Sequence, residues 1–285
     1  MSRRTVIVTG AGKGLGRAYA LHLAASGFAV VVNNRWTDRS QPASAEALAA
    51  EIRNAGGAAV AELSAAEAPE SGQAMVDLAL AEFGRLDAVV ANAGVAQAWR
   101  MRRQDPADFA RVFDINFFGT WHLVRAAWPV LAGQGSGRIV VSTSSAGLHG
   151  GDGMTAYAAS KAALIGLMRA LAVEGRACGV HVNAIAPYAL TPMTERFVEQ
   201  ALGARMAPET VAPLIDWLAG PDCDVSGQVL VAGGGMIKAA FAVEGPRIDL
   251  GGDPGAAVHA ALAAQPRRPF DDSHVAFEDF MAMPA

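Results

Sequence analysis

Short β-branched runs alternate along the chain with longer stretches in which apolar residues recur every three or four positions. TVIVT (5–9), AVVVN (29–33), AAVAEL (58–63), LDAVVAN (86–92), RIVVST (138–143) and VHVNAIA (180–186) have the length and composition of strands. Segments 16–27, 43–55, 70–83, 106–132 and 155–177 carry helical spacing, the first ending at Gly27. The strand runs are apolar nearly throughout instead of alternating with polar residues. Strands of that kind are buried on both faces, so the pattern predicts an α/β fold with a parallel sheet covered on both sides.

No internal repeat and no proline- or serine-rich linker interrupts this alternation, which predicts one domain over 1–285. Beyond GQVLVAGGGM (227–236) the pattern weakens, and 237–285, with GGDPG and QPRRPFDD, is expected to be an irregular tail. At 285 residues and 52% apolar content the chain can bury a large core. A net charge of −4 and a pI near 5.9 give no general attraction to nucleic acid or to an anionic membrane. Cys178 and Cys223 form no CxxC pair and the six histidines are scattered, so neither a disulfide framework nor a metal site is expected. The apolar run after the basic start is too short for a signal peptide, and no stretch approaches a membrane-spanning length. A cytoplasmic protein is expected.

Two local features carry chemistry. The first strand runs straight into TGAGKGLGRAYA, where Gly10, Gly14 and Gly16 are spaced as TGxxxGxG and not as the strict GxGxxG fingerprint. Glycines there permit a tight turn and let backbone N–H groups approach a diphosphate at the positive end of the next helix. A loop that merely collects glycine is the plain alternative; the strand before and the helix after favour dinucleotide binding. The second feature is Tyr157 and Lys161, four residues apart and hence on one face of the helix 155–177. Taken alone, such a pair is an ordinary surface contact.

TGxxxGxG at 9–16, ANAG at 91–94, Ser144 thirteen residues before Tyr157-x-x-x-Lys161, and AIAPYALT at 184–191 together resemble the short-chain dehydrogenase/reductase superfamily over about residues 4–236. GLGRAYAL, TSSAGLHG, LAVEGR, NAIAP and PETVAPLIDWL look more closely like the (3R)-hydroxyacyl-CoA dehydrogenase portion of peroxisomal multifunctional β-oxidation enzymes and its bacterial relatives. The resemblance implies a doubly wound, Rossmann-like sheet of about seven strands. It also implies an oxidoreductase that interconverts a secondary alcohol and a ketone with NAD or NADP.

By the same resemblance Tyr157 is the acid/base, its phenol favoured towards phenolate by Lys161 and by the positive charge of oxidised nicotinamide. Lys161 also holds the nicotinamide ribose, Ser144 bonds the substrate oxygen, and Asn116 in FDINFFGT links Lys161 to solvent through water. Cofactor contacts are implied for Gly10, Lys13, Gly14, Leu15, Gly16, Asn34, Arg35, Glu62, Asn92, Ala93, Gly94, Tyr157, Lys161, Pro187 and Thr191. Ala91 stands where the family more often has asparagine, Glu62 where an aspartate usually meets adenine, and Tyr188 in place of a glycine.

The end of the second strand reads VVNNRWTDR, so the acid that would select NAD is replaced by Asn34 and followed by Arg35. With Lys13 this favours NADP, whose 2′-phosphate suits a guanidinium; Asp38 folding back as the missing acid would favour NAD. A 3-hydroxyacyl or 3-oxoacyl thioester is the expected substrate, with a steroid, terpenoid or other apolar alcohol as alternative. A non-catalytic nucleotide sensor on the same fold is the reading from another class. His149, Met154 and Tyr188 are expected to line the substrate pocket, among the variable segments 95–104, 147–154 and 188–206. The resemblance further implies a homodimer or homotetramer paired through 106–132 and 155–177.

Overall fold

The valine-rich runs form strands that lie wholly inside the protein. A computed structural model describes residues 3–36, 38–191, 204–250 and 253–281. Every residue is buried in β1 (Thr5–Val8), β2 (Ala29–Asn33), β4 (Ala88–Ala91) and β5 (Gly137–Ser142). With β3 (Ala58–Glu62), β6 (Val180–Pro187), β7 (Val229–Gly233) and β8 (Met236–Ala240) they build one sheet in the order β3-β2-β1-β4-β5-β6-β7-β8. The pairs from β3 through β7 are parallel. β8 is an eighth strand beyond the expected seven. Only Gly234 and Gly235, both with positive φ, separate it from β7, a connection that antiparallel neighbours alone permit.

Successive strand residues face opposite sides. Val6, Val8, Val30 and Val32 share one core with α1 (Gly14–Ala25), α2 (Ser44–Asn54) and α8 (Ala212–Ala219). The other helices of the sheet are α3 (Ser71–Phe83), α4 (Pro106–Phe113), α5 (Gly119–Gly133), the short α6 (Ser145–His149) and α7 (Thr155–Gly175). α3, α5 and α7 bury Met75, Leu123, Leu131, Leu164 and Met168. α6 and α8 are one- and two-turn elements that the hydrophobic pattern does not reveal.

The expected helix 106–132 is interrupted. Residues Asp114–Phe118 form a π turn between α4 and α5. Such an insertion rotates the following face of the helix and often marks a functional site; here it carries Asn116, which is fully buried.

α7, at 21 residues, is long and apolar enough to cross a membrane, contrary to the sequence expectation. It packs on β5 and β6 and buries Ser160 and Lys161, as a core helix does.

Residues 1–239 and 240–285 form two compact units. The second contains α9 (Pro254–Ala263) and α10 (Ser273–Met281), so the stretch expected to be irregular carries regular structure. In α9 the cap is Asp253, whose carboxylate accepts the Ala256 N–H at 3.1 Å.

Candidate active site

The strand order reverses between β1 and β4. Their carboxyl ends therefore diverge into a crevice, the place where open α/β sheets bind ligands. Thr9, just past β1, ties its two walls together. Its Oγ1 accepts the N–H groups of Asn92 and Ala93, both at 3.0 Å, while the Asn92 amide donates to the Thr9 carbonyl at 3.0 Å. Gly10 has φ +64, and a Cβ there would stand 2.8 Å from Ala93 Cα, so the turn closes against the β4 end only with glycine.

Lys13 is the N-cap of α1 and makes no side-chain capping bond. Among the described residues no capping side chain takes the first-turn N–H groups of Gly14, Leu15 and Gly16, which lie at the positive helix end. That donor set fits the diphosphate of a dinucleotide. Leu15 itself packs on the core.

Four candidate residues gather at the ends of β4 and β5. Ser144 caps α6 in an extended conformation and accepts the Ala146 N–H at 3.2 Å. Its side chain is close enough to the Tyr157 phenol to draw the phenol's pKa down. Lys161 lies one turn along α7, with Nζ 5.9 Å from the centre of the Tyr157 ring and donating to the Ser142 carbonyl at 2.6 Å. Asn116 accepts the Val95 N–H at 2.8 Å and donates to the Val95 carbonyl and to Ser160 Oγ, each at 3.0 Å. Gly94 leaves the space between these groups open: a Cβ there would stand 3.1 Å from Asn116 Oδ1 and 3.3 Å from Lys161 Nζ.

Burial dominates the electrostatics. It pushes the Tyr157 phenol above its ordinary value, and the hydrogen bond with Ser144 pulls it partly back. The Lys161 ammonium, expected to lower it, is not among the causes of this shift. Desolvation also draws Lys161 down to about 8.

At the end of β2, Asn34 donates to Ser44 Oγ at 2.8 Å, and Arg35 forms an ion pair with Glu67 at 3.0 Å. Lys13 is exposed. Asp38 is occupied by Ser40, whose backbone N–H and hydroxyl both donate to it. Glu62 accepts from the Asn33 amide at 2.6 Å and from the Ser64 N–H at 3.0 Å. Pro187 ends β6, and Thr191 is the last described residue before 192–203. The expected substrate segment 188–206 thus lies largely outside the described residues.

The other two substrate segments are joined. Trp99 and Met154 form a β-bridge, the Trp99 N–H donates to the Gly153 carbonyl at 2.7 Å, and Arg100 pairs with Asp152 at 2.8 Å. His149 is exposed at the end of α6. Tyr188, 46% exposed, is fixed by its N–H to the Ala232 carbonyl at 2.7 Å.

Several participants escape a reading of the sequence. Thr9 belongs to the TGxxxGxG motif, which gives it no role of its own, and Ser160 is signalled only by its place beside Lys161. Ser142 enters through its backbone carbonyl, and Glu67 and Ser44 through contacts across loops. None of those three has a local signature.

With this geometry in hand, the chain can be compared with known proteins. A family model described as short chain dehydrogenase matches residues 4–202. A Mycobacterium tuberculosis protein described as a short-chain type dehydrogenase/reductase is 38% identical over 86% of this chain and 88% of its own. Peroxisomal multifunctional enzyme type 2 of Mus musculus is 40% identical over 82% of this chain, which spans 32% of that larger protein. The crystal structure of a short chain dehydrogenase from Mycobacterium avium superposes with a TM-score of 0.82 at 38% identity, covering 93% of this chain and 97% of the other.

The depressed Lys161 has a measurable consequence. Its ordinary value is 10.5, so between about pH 8 and that value the unfolded chain binds the proton that the folded chain has released. Stability from this group should rise with pH across that window by about 1.4 kcal/mol per unit. The unfolding free energy of wild type relative to Lys161→Met, followed by denaturant titration, should shift in favour of wild type over the same range. A difference that stays constant with pH would contradict the burial of the ammonium.

Proposed function

The chain belongs to the short-chain dehydrogenase family, whose members are oxidoreductases using NAD(H) or NADP(H) on small molecules, and we propose that it interconverts a secondary alcohol and a ketone. The observation that carries this reading is buried Lys161, 5.9 Å from the centre of the Tyr157 ring and bonded to the Ser142 carbonyl, with Ser144 acting on the same phenol. Tyr157 takes the hydroxyl proton in oxidation and returns it in reduction. Ser144 donates to the substrate oxygen and steadies charge that develops there. Lys161 supplies positive charge beneath the phenol, and Asn116 holds the Val95 backbone beside it. The nicotinamide cofactor, when bound, accepts or donates the hydride. The glycine turn 10–16, Asn92–Gly94, Lys161, Pro187 and Thr191 are the residues to hold it.

We further propose NADP as the cofactor, because Asn34 is neutral, Arg35 follows it at the end of β2, and Lys13 stands in the glycine turn. The substrate proposed is a 3-hydroxyacyl or 3-oxoacyl thioester, supported by the likeness to the mouse multifunctional enzyme and by exposed Arg102 and Arg103 beside the bridged segments. A free apolar alcohol is the second reading. It is favoured by the exposed Trp99 and Tyr188 and by the neutralisation of Arg100 by Asp152.

One turnover panel tests these proposals. Wild type should reduce a 3-oxoacyl-CoA with a higher kcat/KM than free ketones, and Tyr157→Phe should lower turnover by at least ~10² while still binding cofactor. Near-normal activity in that variant would remove Tyr157 from its role, and a preference for free ketones would replace the thioester. Assembly as a homodimer or homotetramer is also proposed, supported by Phe118 and Trp121, which remain exposed on the α4–α5 segment. Light scattering at micromolar concentration should give two or four chain masses; a single chain mass would refute it.

A further inference from the structure

Arg35 does not stand free at the end of β2. Its Nη1 lies 3.0 Å from Glu67 Oε1, and its Nη2 donates to Glu67 Oε2 at 3.3 Å, so one edge of the guanidinium is covered by both carboxylate oxygens. The two side chains are only partly exposed, 33% for the arginine and 23% for the glutamate. Lys13, by contrast, is exposed and makes no ion pair among the described residues.

The backbone gives Glu67 a fixed place. It follows β3 on a segment laced to the end of β2. The Asn34 N–H donates to the Glu62 carbonyl and the Trp36 N–H to the Leu63 carbonyl, both at 3.2 Å, and the Asn33 amide donates to the Ser64 carbonyl at 3.0 Å. On its other side the segment runs against Gly119, where a Cβ would stand 3.1 Å from the Ala66 carbonyl carbon and 3.3 Å from the Glu67 nitrogen. The carboxylate is therefore held beside Arg35 by its surroundings as well as by charge.

We infer that Glu67 is a specificity-determining residue that competes with the 2′-phosphate of NADP(H) for Arg35. This rests on the reading that Arg35 faces that phosphate. A phosphate monoester carries a charge of about −1.5 to −2 near neutral pH and must share the guanidinium with a carboxylate already bound to it. It is also repelled by that carboxylate at short range. The neutral 2′-hydroxyl of NAD(H) meets neither cost. Glu67 thus narrows the preference for NADP(H) that Arg35 and Lys13 would otherwise set, and it does so without touching the reacting atoms.

The test is a double-mutant cycle on the full chain, with dissociation constants for NADPH and NADH measured by fluorescence titration. Glu67→Gln keeps the shape and removes the charge. It should tighten NADPH relative to NADH by about fivefold, the scale of a partly exposed ion pair. That gain should vanish when Arg35→Ala is also present. An unchanged NADPH/NADH ratio in Glu67→Gln, or a shift towards NADH, overturns the inference even where Arg35→Ala weakens NADPH selectively. Equal weakening of both cofactors by Arg35→Ala overturns the reading of Arg35 itself, and the role of Glu67 with it. Thermal unfolding of each variant separates these outcomes from loss of fold.

Discussion

The bond from the Lys161 ammonium to the Ser142 carbonyl fixes the proposed catalytic residues in space. It joins the interior of α7 to the last residue of β5 over 2.6 Å, in a place that water barely reaches. An ammonium buried without an acceptor would be strongly unfavourable, so the carbonyl at the strand end and the lysine on the helix depend on each other. The Thr143 hydroxyl adds a second fastening by donating to the Lys161 carbonyl at 2.7 Å. Once α7 is held there, Tyr157 has to lie over the end of the sheet. Ser144, two residues beyond Ser142, is then within reach of its hydroxyl. A helix that drifted by a few tenths of a turn would separate the phenol, the serine and the lysine together.

The same economy governs the proposed cofactor side. Reversal of the strand order opens the crevice, and Thr9 keeps its two walls in register through hydrogen bonds to Asn92 and Ala93. Asn116 extends that wall by clamping both polar groups of the Val95 backbone. Its amide also reaches Ser160, the neighbour of Lys161. The glycine turn, the β4 loop, the π turn and α7 are thus one connected set of hydrogen bonds, and the apolar sheet beneath supplies its rigidity.

Much of this was legible in the chain itself. β-branched runs buried on both faces leave a strong local pattern, and β2 spans the residues its sequence predicts. The glycine turn and the Tyr157–Lys161 spacing are equally local. What escaped depends on distant partners or on short elements. The π turn has the same apolar periodicity as the helices around it, so nothing in FDINFFGT announces that Asn116 turns inward. α6 and α8 are too short to develop a periodic signal, and β8 is defined by its pairing with β7 more than by its composition. The alanine-rich α9 buries no residue and so lacks the polar and apolar contrast that marks a helix. Ion pairs such as Arg35–Glu67 and Arg100–Asp152 join residues far apart in sequence, and only the fold brings them together.

At the centre of this account is a tyrosine whose acidity is governed first by burial and then by the hydrogen bond with Ser144, with the positive charge of the oxidised cofactor still to come. Ultraviolet titration can read it directly, because the chain has three tyrosines and fully buried Tyr19 is pushed far up by desolvation. The difference between wild type and Tyr157→Phe isolates the phenol of interest. Without cofactor that phenol should ionise above its ordinary value of 10.0, and saturating oxidised nicotinamide cofactor, NAD+ or NADP+, should move it down. Ionisation at or below the ordinary value without cofactor, or no movement on adding it, would contradict the account.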